Sequence, residues 1–496
     1  MSYLMWRHAD DPPVVRYYGM DEGTEARRPV LFLGDHAGFA IPRCLAALGL
    51  DEKERTSHIA GDHGVAPWLD AMVGYVAGYG LGACYSRLVV DHNRAPESEG
   101  WIASVSDGVT IRGNESMGEE ERHWRKTQFF DVWHKAIDDV IKRAHPAVIV
   151  ALHSFTPALK DGVRRRCAIG LLHNGDRRLA DILATFLRAE SSYHVSHNEP
   201  YDGRFFNYTL DRHALRRAIP HVSIEVRSDL LLSPDHGPRV TSLIGRGVVH
   251  AGYCVRARHY RRIGYTERAV DMYNEAIAHD PHQPSYYVER ARAYQCMGRD
   301  GDALTDYGTA LRLEGHNAEY YGQRGDIHGA REAYERAIEE YTRAIQCDKR
   351  GTAEYHIRRG QCYKALKAYG DAMRDYDKAL NIKPRQDVYY YERALLYVLQ
   401  GDDKRAIEDF SRAIQHHPHK GVYDGVYYAR YYAGRGMAYG RQHDDAHALE
   451  DVTHAIGLHV NHAPYYVLRS MLYKRMGAED KARQDMMMAK EIQGDV

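Results

Sequence analysis

Two patterns of apolar and polar positions divide the chain. Over the first part, short apolar runs alternate with longer stretches of helical period. Five runs predict strands: PVLFL (29–33), ACYSRLVV (83–90), AVIVAL (147–152), CAIGLL (167–172) and HVSIEV (221–226). Helical spacing predicts helices over 64–78, 176–190 and 207–218. A further long helix is expected to start at Ser116, where SMGE offers a capping box of Ser116 and Glu119. Strands alternating with helices predict an α/β domain, a mixed sheet flanked by helices.

The second pattern is a repeat. Alanines recur at 269, 303, 337, 372, 406, 448 and 482, with another alanine seven residues after each. Twelve residues before each stands a small residue: Ala257, Ala291, Gly325, Gly360, Ala394, Gly436 and Ser470. Nine before stands Tyr in every unit but one, where it is His328. Small residues let two helices approach closely, and an aromatic is expected to fill the adjoining gap. The spacing is 34 or 35 residues except for one step of 42, which implies an insertion near GVYDGVYY (421–428). This resembles the tetratricopeptide repeat, a helix–turn–helix unit of about 34 residues. It predicts an all-α solenoid of about seven repeats over 250–496.

Within that frame an arginine stands thirteen residues before each alanine: Arg256, Arg290, Arg324, Arg359, Arg393, Arg435 and Arg469. Three residues after the alanine stands an acid in six units; the first has Met272. These predict Arg–carboxylate pairs within or between repeats, with a ligand-binding arginine stripe as the alternative. Candidate groove positions (Arg292, Asp326, Gln361, Leu395, Met437, Met471) are mixed, so no carboxylate clamp is expected. His416, His417 and His419 cluster at a repeat turn and are read as solvated, with metal binding as the alternative.

The chemistry gathers where apolar runs end. PVLFL runs into Gly34, Asp35 and His36; HIAGDHG carries His58 and Asp62; YSRLVV runs into Asp91, His92, Asn93 and Arg94. AVIVAL runs into His153 and Ser154, and HVSI leads to Glu225 and Arg227. One histidine at a strand end is usually structural. Several polar clusters at the carboxyl ends of strands mark a ligand site. Two histidines and a carboxylate suit Zn²⁺ with a position left for water. A glutamate can take that water's proton, and arginines can polarise a carbonyl or hold a carboxylate. GxSxG, P-loop, Rossmann and HExxH signatures are absent from the sequence.

Composition narrows the classes. Lys plus Arg (67) nearly cancels Asp plus Glu (68), which argues against nucleic acid or a membrane surface as partner. Seven scattered cysteines, with no CxxC, are expected as reduced thiols in a cytoplasmic protein. The start MSYLMWRHADD lacks a signal-peptide layout, and no apolar run approaches the roughly 20 residues of a membrane helix.

GDHAGFAIP (34–42), HIAGDHGV (58–65), YSRLVVDHNRAP (85–96), LHSFTP (152–157), HNEPYDG (197–203) and IEVRSDLL (224–231) resemble, in order, the motifs of the N-formylglutamate amidohydrolase family over about 28–235. That family is similar to zinc carboxypeptidases and aspartoacylase-like deacylases. The resemblance implies an α/β zinc-hydrolase domain acting on the amide of an N-acyl amino acid. It implies His36, Asp62 and His153 as Zn²⁺ ligands, with His58 as runner-up for the third place. It implies Glu225 as general base and then acid, and Arg87 as the group that polarises the carbonyl. Asn93 and Arg94 would grip the substrate carboxylate, and Tyr201 would close over it. Gly61, Cys167 and Ala168 depart from the family pattern and would reshape the acyl pocket. The run Arg164–Arg166 reads as an exposed loop, or as a reach toward a second carboxylate.

Three functions follow. The first is hydrolysis of N-formylglutamate or another small N-acyl amino acid. The second is a related hydrolase whose larger peptide or protein substrate is recruited by the repeats. The third is a non-catalytic repeat scaffold.

Overall fold

The structure, a computed structural model, describes residues 11–19, 29–96, 98–158, 162–348, 351–417 and 425–494. Contacts divide the chain into two units, Met1–Pro281 and His282–Val496. The 42-residue step and His419 fall largely on 418–424, outside the described residues, as does the start of the chain.

The first unit is built on a seven-stranded sheet. Its strands are β1 (Val15–Tyr18), β2 (Val30–Gly34), β3 (Tyr79–Ala83), β6 (Val148–Phe155), β7 (Ile169–Leu172), β8 (Val195–His197) and β9 (His221–Arg227). A separate ribbon pairs β4 (Val105–Ser106) with β5 (Val109–Thr110). The sheet order is β1-β3-β2-β6-β9-β7-β8. The four central strands run parallel, while β1 and β7 pair antiparallel to their inner neighbours. Helices cover both faces, as a doubly buried parallel sheet requires. On one face Phe32, Val150 and Ile224 pack with α1 (Val65–Val76), α3 (Arg178–Glu190) and α4 (His236–Arg262). On the other, Leu33, Ile149 and Ala151 pack with Trp133, Ile137 and Val140 of α2 (Asp131–Ala144).

Two sequence expectations are corrected. The strand expected over 83–90 lies earlier, at Tyr79–Ala83; YSRLVV is a turn-rich segment. Its Leu88, Val89 and Val90 are apolar because they are buried in the second core, not because they alternate in a sheet. The helix expected at Ser116 starts at Glu119 behind Gly118, with no side-chain cap. Ser116 instead ends a short helix, Arg112–Glu115. The buried guanidinium of Arg125 donates to Asn114 Oδ1 at 2.7 Å and ties that turn down separately. The long helix then continues through a π-helical turn, Lys126–Phe130, into α2.

The second unit holds twelve helices from Pro284–Cys296 to Glu479–Gln493, packed as six consecutive pairs among the described residues. The first repeat of the sequence falls in the first unit, as the end of α4 and α5 (Thr266–His279). The small residues of the first helices meet rings. A Cβ on Gly325 would lie 2.7 Å from the Tyr341 ring, and one on Gly360 2.5 Å from that of Tyr376. The gap-filling aromatic thus stands four residues after the key alanine. The tyrosine expected in that role lies beside the arginine instead, as Tyr363 does beneath Arg359.

All six predicted pairs in this unit form, each within its own repeat: Arg290–Asp306, Arg324–Glu340, Arg359–Asp375, Arg393–Asp409, Arg435–Asp451 and Arg469–Asp485. Five are bidentate. The third arm reaches the preceding repeat, as Arg393 Nη1 does to Asp377 at 2.6 Å and Arg359 Nη1 to Thr342 Oγ1 at 2.9 Å. One guanidinium therefore joins three helices. The arginine stripe is structural, and His417 is likewise engaged, with Asp387 at 2.7 Å.

Removing a carboxylate from such a half-buried pair strands the arginine. Asp409→Ala is expected to lower the stability of the repeat unit by about 3 kcal/mol or more. Asp480→Ala, which removes the partner of exposed Arg483, should change little. Urea unfolding of the full-length protein, followed by helical circular dichroism, measures both; equal midpoints would contradict the structural role of the ladder.

Candidate metal centre

The period of a strand places the first chemical groups. In β6 and β9, residues on one face enter the core beside α1, α3 and α4, so His153 and Glu225 share the opposite face. The two strands are in register at this pair. His36 follows the end of β2, two residues past Gly34. Its loop lies close against the segment after β3: a Cβ on Gly38 would sit 2.1 Å from the Cys84 backbone, so only glycine fits. Backbone bonds Ala40 N to Cys84 O and Ser86 N to Ala40 O fasten the two segments. Asp62 N donates to His36 O at 2.9 Å, and Ser86 Oγ to Ala60 O at 2.7 Å. Loops that carry Asp62, Arg87 and Asp91 are thereby fixed to the sheet.

His36, Asp62 and His153 are buried, and their ligand atoms converge within 4.8 Å of one another. Asp62 Oδ2 lies 2.9 Å from His153 Nδ1 and 3.6 Å from His36 Nδ1. His36 Nδ1 has no hydrogen-bond partner among the described residues, though it is buried. The far nitrogens face other carboxylates. His36 Nε2 is 2.8 Å from Asp91 Oδ1, and His153 Nε2 is 3.5 Å from Asp35 Oδ2. Asp35 is itself held by Trp133 Nε1 at 3.0 Å and Thr209 Oγ1 at 2.7 Å. A metal-binding histidine is commonly oriented by a carboxylate on its other nitrogen, and both histidines have one here.

The charges also suit a cation. Burial opposes ionisation of Asp62, but the two histidines hold its pKa below the usual carboxylate range. Burial likewise opposes ionisation of Asp91, which Arg87 and His36 hold well below that range, and of Asp35, which His153 and His36 also hold down. Burial and Arg87 disfavour a charged His36, yet Asp91 and Asp62 raise its pKa overall. Burial works against a charged His153 too, and its carboxylate neighbours raise it well above normal. With both imidazoles protonated, the three ionised carboxylates are balanced by Arg87 and the two histidines. With the imidazoles neutral, as metal ligation requires, an excess of roughly two negative charges is left, and buried charges require pairing or a metal. A divalent ion on neutral histidines would meet that need.

Around this cluster lies a cavity of about 720 Å³, lined by Arg87, Asn93, Arg94, Arg165, Tyr201 and Glu225 among others. Arg87 grips Asp91 through Nε at 3.1 Å and Nη2 at 2.7 Å, and its Nη1 lies 3.8 Å from Asp62. Glu225 is buried, its Oε2 has no partner among the described residues, and burial pushes its pKa up to about 7. Asn93 is fully engaged with backbone: Nδ2 donates to Phe206 O and Oδ1 accepts from Thr209 N, both at 3.0 Å. Arg94 lies over the Phe206 ring, and Tyr201 packs edge-on to the same ring.

The runner-up ligand does not reach the cluster. His58 is half exposed at the rim and paired to Asp107 at 3.0 Å. Asp62 does not cap α1; its carboxylate also accepts from Ser154 N. Ser154 Oγ donates to His63 O and is no nucleophile poised by a base. Gly61, Cys167 and Ala168 do not line the cavity. Of the arginine run, Arg164 pairs with Asp229 at the surface, but Arg165 enters the cavity with a buried Nε that is unpartnered among the described residues. Asp35 and Asp91 were visible as neighbours of His36 and Arg87; nothing in the sequence assigned them to the far imidazole nitrogens.

Fold and site define a hydrolase-type α/β domain with a buried His–Asp–His cluster that could hold a metal, followed by helical repeats. Residues 28–232 match the N-formylglutamate amidohydrolase family model, and residues 288–352, 317–387 and 388–415 match tetratricopeptide repeat models. The chain thus carries an N-formylglutamate amidohydrolase domain fused to tetratricopeptide repeats. Among solved structures it is similar to gene product Atu2144 from Agrobacterium tumefaciens, at 29% identity over 49% of this chain and 97% of that one, TM-score 0.46. It is also similar to a tetratricopeptide repeat protein from Parabacteroides merdae ATCC 43184 (19% identity, 48% and 91% covered, TM-score 0.39) and to MamA (22%, 32% and 93%, TM-score 0.31). No curated protein matches. Among the described residues, no helix is long and apolar enough to cross a membrane.

Asp91→Asn keeps the shape of the side chain and weakens its hold on His36. It is expected to lower Zn²⁺ affinity by about 10- to 100-fold, the usual effect of losing such a supporting carboxylate. Competition with a chromophoric chelator measures it; unchanged affinity would contradict the orienting role of Asp91.

Proposed function

We propose that the first unit is a Zn²⁺-dependent amidohydrolase that cleaves the amide of an N-formyl or other N-acyl amino acid with two carboxylates, such as N-formylglutamate. One observation carries this reading. A buried glutamate with an unpartnered oxygen, an arginine and a His–Asp–His cluster share a single cavity. The family match supports hydrolysis of an amide. Seven free cysteines fit a reducing, cytoplasmic setting.

His36, Asp62 and His153 would hold the ion, through nitrogens whose opposite sides rest on Asp91 and Asp35. Bound there, Zn²⁺ would supply a Lewis acid that acidifies a water and polarises the carbonyl. Glu225 Oε2 takes a proton from water as its oxygen attacks the acyl carbon. With its pKa near 7, Glu225 then returns that proton to the amide nitrogen as the C–N bond breaks. Formate and the amino acid are the products when the acyl group is formyl. Arg87 Nη1 stabilises the oxyanion while Nε and Nη2 stay on Asp91, so the guanidinium is pre-oriented. Arg94 and Arg165 stand over rings in the cavity wall and take the two substrate carboxylates. Asn93, its amide committed to the backbone, positions the wall rather than gripping substrate. Tyr201, 37% exposed, covers the bound substrate. The repeats take a protein or peptide partner.

Formate release from N-formyl-L-glutamate by the zinc-loaded full-length protein tests the proposal, and it should be abolished by a chelator. Glu225→Gln should retain metal and slow turnover by about two to four orders of magnitude. Metal binding without release from any small formyl amino acid would overturn the substrate class. Normal turnover by Glu225→Gln would overturn the role of Glu225.

Arg165→Met should raise KM for N-formylglutamate by about ten-fold or more and leave KM for N-formylalanine, which lacks the second carboxylate, nearly unchanged. Steady-state kinetics on both substrates decide this. Equal effects on the two would remove Arg165 from side-chain recognition.

A further inference from the structure

The first unit has a second cavity, of about 620 Å³, at the opposite end of the sheet. Pro29, Ala147 and Pro220, which precede β2, β6 and β9, form its floor. Its walls carry Arg178, Arg256 and Arg262 with His145, His259 and Tyr260. No carboxylate lines it among the described residues. Arg178 is already committed, to Asp176 at 2.6 Å and to Ala218 O at 3.0 Å. Arg256 and Arg262 make no side-chain hydrogen bond or ion pair among the described residues.

The repeat register gives independent reason to single out Arg256. It occupies the position whose arginine is paired in each of the six repeats of the second unit. Its own partner position is Met272, which offers no charge. The first repeat therefore keeps the guanidinium and lacks the carboxylate, and the freed side chain lines this cavity. Basic groups are favoured near the C-terminal turns of α2 and α4 by the helix dipoles. That accounts for the sign of His145, His259 and Arg262. It does not account for the unpaired Arg256 or for a cleft whose volume is in the range of ligand sites.

We infer that this cavity is a binding site for a phosphate-bearing ligand, with its phosphate groups on Arg256 and Arg262. Arginine suits such an anion because its planar fork donates two parallel hydrogen bonds. The inference is independent of the hydrolytic reading, since none of these residues lines the catalytic cavity.

Isothermal titration of the full-length protein with inorganic pyrophosphate and with ADP tests it. Saturable, salt-sensitive binding is expected, weakened about ten-fold or more by Arg256→Gln and, separately, by exposed Arg262→Gln. Catalytic turnover should stay unchanged in both variants. Tighter binding of ADP than of pyrophosphate would assign a nucleotide; equal binding would assign the phosphate group alone. No saturable binding of either probe at about 1 mM, or binding that both substitutions leave intact, would overturn the site.

Discussion

Asp62 Oδ2 faces the Nδ1 atoms of two buried histidines, and the rest of the first unit is arranged to keep it there. A carboxylate so placed is costly without compensation. Compensation comes from the imidazoles, whose far nitrogens are turned toward Asp91 and Asp35. Asp91 in turn fixes Arg87, and Asp35 is anchored by Trp133 and Thr209. The chain of contacts runs from core helix α2 and the segment after β3 to the reacting centre. With its histidines neutral the cluster carries a net negative charge, which a bound cation would balance.

The sheet explains why this arrangement is rigid. Parallel β6 and β9 present His153 and Glu225 side by side because register and alternation leave no other choice. The remaining groups come from loops, yet these are pinned by short backbone bonds and by a glycine contact that no side chain could replace. Glu225 Oε2 has no partner among the described residues, and burial raises the pKa of this carboxyl toward neutrality. In the second unit the same economy appears in another form: one arginine per repeat closes its own hairpin and, where the preceding helix offers an oxygen, the next contact as well.

Much of this was legible in the sequence. The repeat frame, the paired charges and the apolar runs ending on His36, His153 and Glu225 could all be read by spacing. The misses have physical causes. The strand YGLGA was hidden by its glycines, which carry little strand propensity. YSRLVV imitated a strand because a buried loop is as apolar as a sheet. The Ser116 box met the pattern of a helix start, but Arg125 holds the preceding turn separately. Arg165 was lost among three consecutive arginines, since sequence alone does not say which one a loop turns inward.

The central claim is that Nδ1 of His36, Nδ1 of His153 and a carboxylate oxygen of Asp62 hold the metal. A crystal structure of the zinc-soaked full-length protein, with anomalous data collected on both sides of the zinc edge, tests it most directly. The expected result is one strong anomalous peak at the junction of those three atoms, with Asp91 and Asp35 still on the opposite nitrogens. A peak elsewhere, or ligation through Nε2 with Asp91 displaced, would contradict the arrangement on which the rest of the site depends.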